Sequence, residues 1–330
     1  MMSRPKIGIL VKTSLRERIL SDEDLQKLKS FADVEINPED RDYSEEEAAD
    51  FLVGKDGAMS SWRVTNLTPG ILEKSPGLKI WAYGAGTVKG KICEEAWEKG
   101  VVVTSSAPSI ADDVAELTMG FITIGLRRVI PYMREMQTNE PALKPLSRSL
   151  YRRTVGVISA SQVGQRVMRL LAPYGVRVLL YDPFMSEARA RDEFGAELMD
   201  LVTIAKESDV VTIHAPKLDA TYQMVNATHF QMMKDDAVFV NTSRGDNIDE
   251  AALITELEKG RLFAFLDVTS PEPPLADSPL RKLPNCVLTP HVAGQQSYRI
   301  GNQVVEEIRR CFAGEEQVFQ VTREMLDRLA

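Results

Sequence analysis

The strongest constraint on this chain is an alternation. Short β-branched runs are followed again and again by stretches with helical periodicity, over nearly the whole length. The first series comprises "KIGILV" (6–11), "ADVEIN" (32–37), "GAMSSW" (57–62), "LKIWAYG" (78–84) and "GVVVTS" (100–105). The second comprises "TVGVIS" (154–159), "VRVLLYD" (176–182), "SDVVTIH" (208–214), "DAVFVNTS" (236–243), "LFAFLDV" (262–268) and "NCVLTP" (285–290). Strands that alternate with helices pair in parallel, because each crossover returns the chain to the same sheet edge. The expected fold class is therefore α/β. The six runs of the second series match a doubly wound nucleotide-binding sheet. At 330 residues there is room for two such domains.

Between the two series, "SIADDVAELTMGFITIGLRRVIPYMREM" (109–136) reads as one long connecting helix, with Ser109 as N-cap and acids in its first turn. "NEPALKPLSRSLYRR" (139–153) reads as a Pro-rich surface loop. The last stretch, "SYRIGNQVVEEIRRCFAG" (297–314), is one amphipathic helix, placed to return to the first domain.

The bulk numbers exclude several classes. Charged residues at 27% and hydrophobic residues at 44% describe a soluble globular composition, and no apolar run is long enough for a membrane span. A net charge of −8 offers no basic stripe for nucleic acid. Cys93, Cys286 and Cys311 are far apart and lack metal-ligand spacing, which suits a reducing cytoplasm and predicts no metal site.

"VGVISASQVGQR" (155–166) runs from a strand through a turn into a helix, the place where dinucleotide-binding proteins carry G-x-G-x-x-G. Here Ser159 and Ser161 stand at the first two glycine positions, followed by Gln162 and Val163, and only Gly164 is kept. The helix N-terminus still offers free N–H groups and the positive end of a dipole to a pyrophosphate. Asp182 ends the next strand, eighteen residues past Gly164 (182 − 164), near the spacing of an acid that grips a ribose 2′-OH and repels a 2′-phosphate. The plainer reading is an ordinary βαβ turn with a solvated aspartate.

Three more residues follow successive strands: Arg244 in "NTSRGD" (241–246), Glu272 in "DVTSPEPP" (267–274) and His291 in "LTPHVAG" (288–294). Singly, each also fits a solvated or structural role. Together, in a parallel sheet, they emerge at one edge. A cation that clamps carboxylate and carbonyl oxygens, an imidazole that moves a proton and a carboxylate that orients it are what oxidation of a 2-hydroxy acid requires.

At these residues the chain resembles the D-isomer-specific 2-hydroxyacid dehydrogenases, over essentially its whole length. "NTSRG", "LDVTSPEPP", "LTPHVAG", "IHAP" (213–216) and "DDVAELTMG" (112–120) fall in the family's order and spacing. The resemblance implies Rossmann-like and flavodoxin-like domains, with a cofactor domain (107–292) inserted into a substrate domain (1–106 plus 293–330). It implies Arg244, Glu272 and His291 as catalytic residues and NAD(H) as cofactor. Cofactor contacts carry over to Ser161, Gln162, Val163, Gly164, Asp182, Ala215, Thr242 and Asp267, the last facing the nicotinamide carboxamide. Ala85 and Gly86 of "YGAGT" (83–87) carry over as the amides that bind substrate carboxylate. After those glycines the family usually continues with Asp-Asn, where this chain has Val88-Lys89. His214 reads as a packing or adenosine-side residue, and His229 as incidental. The implied protein is a cytoplasmic homodimer acting on a small 2-keto or 2-hydroxy acid of glyoxylate, hydroxypyruvate or phosphoglycerate type. The alternative is an NAD(H)-sensing, corepressor-like binding protein without significant turnover.

Overall fold

The computed structural model describes residues 4–138, 147–295 and 297–326. The chain divides into two compact units: residues 1–110 with 295–330, and residues 111–294.

Unit 1 is built on a six-stranded sheet. Its strands are β1 (Lys6–Ile9), β2 (Asp33–Ile36), β3 (Gly57–Ser60), β4 (Ile80–Tyr83) and β5 (Val102–Ser105), all parallel, and β13 (Gln320–Val321). The order is β13-β5-β4-β3-β1-β2, and the two-residue β13 pairs antiparallel with β5. β3 and β4 are wholly buried, which is why their sequences run apolar without alternation. The crossovers are α1 (Thr13–Ile19) with α2 (Asp22–Phe31), then α3 (Glu45–Phe51), α4 (Pro69–Lys74) and α5 (Glu94–Glu98). Their starts follow local chemistry. Ser21 caps α2 ahead of three acids, and Ser44 and Glu47 close a reciprocal capping box on α3.

Two helices, α6 (Ala107–Leu126) and α7 (Val129–Thr138), replace the single helix expected over 109–136. The break has an identifiable cause. Arg128 adopts φ +56°, and its guanidinium is buried, donating to the Gly125 carbonyl at 2.9 Å and the Asp236 carbonyl at 2.6 Å. It also lies 3.7 Å over the Phe263 ring, and burial lowers its pKa to about 10. Nor does Ser109 cap α6, which starts earlier at Ala107; the Ser109 hydroxyl donates instead to Gln303 Oε1 at 2.6 Å. Residues 139–146 of the expected loop lie outside the described residues.

Unit 2 carries a seven-stranded parallel sheet: β6 (Thr154–Ile158), β7 (Arg177–Tyr181), β8 (Ala196–Leu198), β9 (Val210–Ile213), β10 (Val238–Asn241), β11 (Phe263–Leu266) and β12 (Cys286–Leu288). The three-residue β8 adds one strand to the six expected; it is too short to show a period. The remaining crossovers are α8 (Gln162–Leu171), α9 (Glu187–Phe194), α10 (Leu201–Glu207), α11 (Ala227–Met232) and α12 (Glu250–Glu258), while α13 (Tyr298–Ala313) packs within unit 1. The order β12-β11-β10-β9-β6-β7-β8 reverses direction between β6 and β9, which opens a crevice at the carboxyl end of β6. Separate apolar clusters cover the two faces of this sheet.

Phe239 of β10 is fully buried and meets Phe230 of α11 edge-on, with centroids 5.1 Å apart. Truncating it to alanine should destabilise unit 2 by about 3–5 kcal/mol. Urea unfolding of Phe239→Ala followed by far-UV circular dichroism measures this; an unchanged midpoint would contradict the packing described.

Candidate active site

The crevice at the switch point begins with the turn after β6. Ser159 adopts φ +78°, a left-handed conformation that glycine takes without strain and serine does not. Gly164 has no alternative: a Cβ there would lie 2.0 Å from the Ser159 carbonyl oxygen. Ser161 has become the N-cap of α8, its Oγ accepting from Gly164 N at 3.4 Å. Gln162 and Val163 are the first residues of α8, so their amides have no acceptor within the helix and present donors to an anion. Asp182, just past β7, orders this turn, with Oδ2 accepting from Ala160 N at 2.7 Å and Oδ1 from Phe184 N at 2.8 Å. Oδ2 also accepts from Ser159 Oγ at 3.5 Å, while Oδ1 keeps a second lone pair for a ribose hydroxyl. The residues of this crevice therefore fit a dinucleotide.

His214, after β9, is buried beneath the turn with Nε2 at 3.0 Å from Thr212 Oγ1, and burial lowers its pKa to about 3. It stays neutral and packs. His229 is not incidental: its Nδ1 accepts from Asn226 N at 3.2 Å and helps cap α11.

Parallel pairing sets Asn241, Leu266 and Leu288 side by side on β10, β11 and β12. The three candidate catalytic residues follow these positions. Glu272 Oε1 lies 2.5 Å from His291 Nδ1, with both side chains partly open to solvent. His291 adopts φ +54° and its amide donates to the Asp267 carbonyl at 2.9 Å. Asp267 is buried, and its carboxylate is engaged along the same turn. Oδ1 accepts from Thr289 Oγ1 at 2.5 Å and Val292 N at 3.0 Å, and Oδ2 from Ala293 N at 2.9 Å. This carboxylate is the peg on which the His291 turn hangs.

Arg244 is exposed, donating from one guanidinium nitrogen to the Ser243 carbonyl at 2.7 Å. Two buried asparagines shape its turn. Asn241 Nδ2 donates to the Arg244 carbonyl at 2.9 Å, and Asn247 Nδ2 donates to the Ala215 carbonyl at 2.7 Å. The Thr242 hydroxyl shares a hydrogen bond with Thr118 of α6 at 2.8 Å. Sequence reasoning missed Asn241 and Asn247. Their signal was present, since "NTSRGDN" brackets the arginine with two amides in a segment flanked by apolar runs.

Ala85 and Gly86 belong to unit 1, at the end of β4. Ser106 N donates to the Ala85 carbonyl at 2.9 Å and Ser105 Oγ donates to the Gly86 carbonyl at 2.5 Å. Because a trans peptide sets C=O and the following N–H on opposite sides, the amides of Gly86 and Thr87 point away from those serines. Among the described residues no cluster of His, Cys, Asp and Glu could hold a metal ion, and no helix is long and apolar enough to cross a membrane.

Residues 119–293 match the sequence profile of the D-isomer specific 2-hydroxyacid dehydrogenase, NAD binding domain. The chain belongs to this family. Its cofactor is NAD(H), in keeping with the crevice described above. It is 33% identical to a hydroxypyruvate reductase of Thermotoga maritima, across 74% of this chain and 81% of that protein. A glyoxylate reductase of Thermofilum pendens is 29% identical across 98% of this chain and 96% of its own length. A D-3-phosphoglycerate dehydrogenase of Methanocaldococcus jannaschii is 32% identical across 81% of this chain, which spans only 50% of that enzyme. A solved protein of Pyrococcus horikoshii has 29% identity and a TM-score of 0.70 over 99% of this chain and 97% of its own. D-lactate dehydrogenase with NAD+ from Lactobacillus jensenii shares the fold, with a TM-score of 0.79 at 23% identity over 96% of this chain and 100% of its own.

The degenerate turn makes a stability prediction. Ser159→Gly removes left-handed strain but adds backbone entropy to the unfolded chain, for a net gain of roughly 0.5–1 kcal/mol. Ser161→Gly removes a cap and should cost only a few tenths of a kcal/mol. Thermal unfolding of both variants checks this; a destabilised Ser159→Gly would show that the serine hydroxyl outweighs the strain.

Proposed function

We propose that this chain is an NAD(H)-dependent oxidoreductase that reduces a small 2-keto acid to the D-2-hydroxy acid, of the glyoxylate, hydroxypyruvate or phosphoglycerate type named for its relatives. The observation that carries the proposal is the 2.5 Å contact between Glu272 and His291 Nδ1, at strand ends neighbouring that of Arg244.

In this reading the Arg244 guanidinium clamps a carboxylate oxygen and the keto oxygen of the substrate, two acceptors that a planar fork can span. The family resemblance assigns the backbone of Ala85 and Gly86 to the substrate carboxylate. Glu272 occupies Nδ1 of His291, so proton delivery to the keto oxygen falls to Nε2. The carboxylate also fixes the orientation of the ring. When bound, the dinucleotide supplies the hydride that completes reduction of the carbon. Ser161, Gln162, Val163 and Gly164 would hold its pyrophosphate and Asp182 its ribose. Ala215, Thr242 and Asp267 would complete the cofactor contacts, with Asp267 also fixing the His291 turn. A cytoplasmic homodimer remains the assembly implied by the family resemblance. The reading as a cofactor-sensing binding protein draws no support from the comparisons.

Two measurements test the proposal. NADH should bind more tightly than NADPH, because Asp182 stands where a 2′-phosphate would go; fluorescence titration that finds NADPH equal or tighter removes Asp182 from this role. Arg244→Lys should lose on the order of 2–4 kcal/mol of transition-state binding, roughly 30- to 1000-fold in kcat/KM, since a compact ammonium cannot span both oxygens. Steady-state reduction of hydroxypyruvate and glyoxylate, with the NADH dissociation constant measured in parallel, decides it. A near-wild-type kcat/KM would return Arg244 to a solvated surface role.

A further inference from the structure

Parallel pairing fixes the roots of the loops after β9, β10 and β11 but not their tips. The guanidinium of Arg244 is exposed and, among the described residues, leans on the carbonyl of its neighbour Ser243, so its position is set by the turn that carries it. Glu272 likewise stands at the tip of a loop. What joins these tips is Asp246. Its carboxylate accepts a hydrogen bond from Ser270 Oγ, on the Glu272 loop, and forms an ion pair with Lys217, on the loop after β9. Its carbonyl accepts from Gln223 N at 2.8 Å, further along that same loop.

Other contacts press the same elements together. A Cβ on Gly245 would fall 2.1 Å from the Thr269 backbone, so only glycine lets the two turns approach this closely. Ser270 N donates to Glu250 Oε2 at 3.0 Å, anchoring the Glu272 loop to the first turn of α12. Lys217 and Ser270 hold the Asp246 carboxyl below its ordinary range, as expected for a carboxylate with committed partners.

We propose that Asp246 is a positioning residue: it ties the Arg244 turn to the Glu272 loop, and so sets the guanidinium relative to the imidazole that Glu272 holds. The proposal rests on the roles given above to Arg244, Glu272 and His291. It differs from a purely structural role in a measurable way. The Lys217 side chain is 65% exposed, and ion pairs of this kind add little to global stability. Displacing one clamp group by about 1 Å, by contrast, can cost on the order of 100-fold in rate.

The test compares wild type, Asp246→Ala, Ser270→Ala, the double variant and Asp246→Asn. Each is assayed for reduction of hydroxypyruvate with NADH, for NADH affinity and for thermal unfolding. Calorimetry of oxamate, an unreactive keto-acid analogue, on the NADH-loaded protein supplies a readout independent of turnover. Asp246→Ala should lower kcat/KM roughly 10- to 100-fold and weaken oxamate, with NADH affinity and the thermal midpoint nearly unmoved. Ser270→Ala should fall in the same direction, and the double variant should be no worse than Asp246→Ala alone, because both break one tie. Asp246→Asn, which keeps an acceptor for Ser270, should recover most of the loss. Should Asp246→Ala fail to fold, Ser270→Ala carries the comparison. Wild-type-like kcat/KM in Asp246→Ala, or strictly additive losses in the double variant, overturns the inference. If Arg244→Lys is crippled at the same time, the proposed function stands and only Asp246 is removed. If Arg244→Lys is also silent, the functional reading itself has failed.

Discussion

Parallel pairing of β10, β11 and β12 is the constraint on which the candidate site depends. In a parallel sheet every strand ends at the same edge, so residues far apart in the chain are delivered to one place by backbone hydrogen bonds alone. Register then fixes the row from which the loops depart, with Asn241, Leu266 and Leu288 abreast. Arg244, Glu272 and His291 are separated by stretches of helix and loop in sequence, yet all leave from that row. β10 and β11 are buried on both faces, so a slip in their register would disrupt packing on each side. The sheet is thus stiff where the chemistry needs a fixed base.

Beyond the row, precision comes from short polar ties. Asp267 spends its carboxylate on the turn that carries His291, Asn241 spends its amide on the turn that carries Arg244, and Asn247 ties that turn to the Ala215 carbonyl. These groups are buried, where an unpaired polar atom is costly, so each tie also favours a single loop conformation. The left-handed backbone at His291 is the kind of local strain that such over-determined turns can hold. The turn after β6 follows the same logic with different residues. Its glycine pattern is eroded, but the one position where a Cβ would strike backbone is still glycine, and the serine beside it has taken up helix capping.

Where sequence reading fell short, the missing information was non-local. A continuous apolar periodicity over 109–136 gives no sign of a break, because Arg128 stops the helix by burying its guanidinium against Phe263 and the Asp236 carbonyl. Neither partner is near it in sequence. β8 and β13, of three and two residues, lie below the length at which alternation can be read. His229 looked idle because a side chain accepting from a backbone amide leaves no periodic trace.

The sequence by itself determined the α/β class, the positions of most strands, the family and the residues at the strand ends, because burial period and turn chemistry are written locally in the chain. It also located the turn between β6 and α8, since a strand, a small-residue turn and a helix start are contiguous. Tertiary structure alone decided which other groups meet: Asp246 with Ser270 and Lys217, Asp182 with Ala160, and Arg128 with Phe263. Hydrogen bonds and ring contacts act only over a few ångströms, and those distances exist only once the sheet has brought separate segments of the chain side by side.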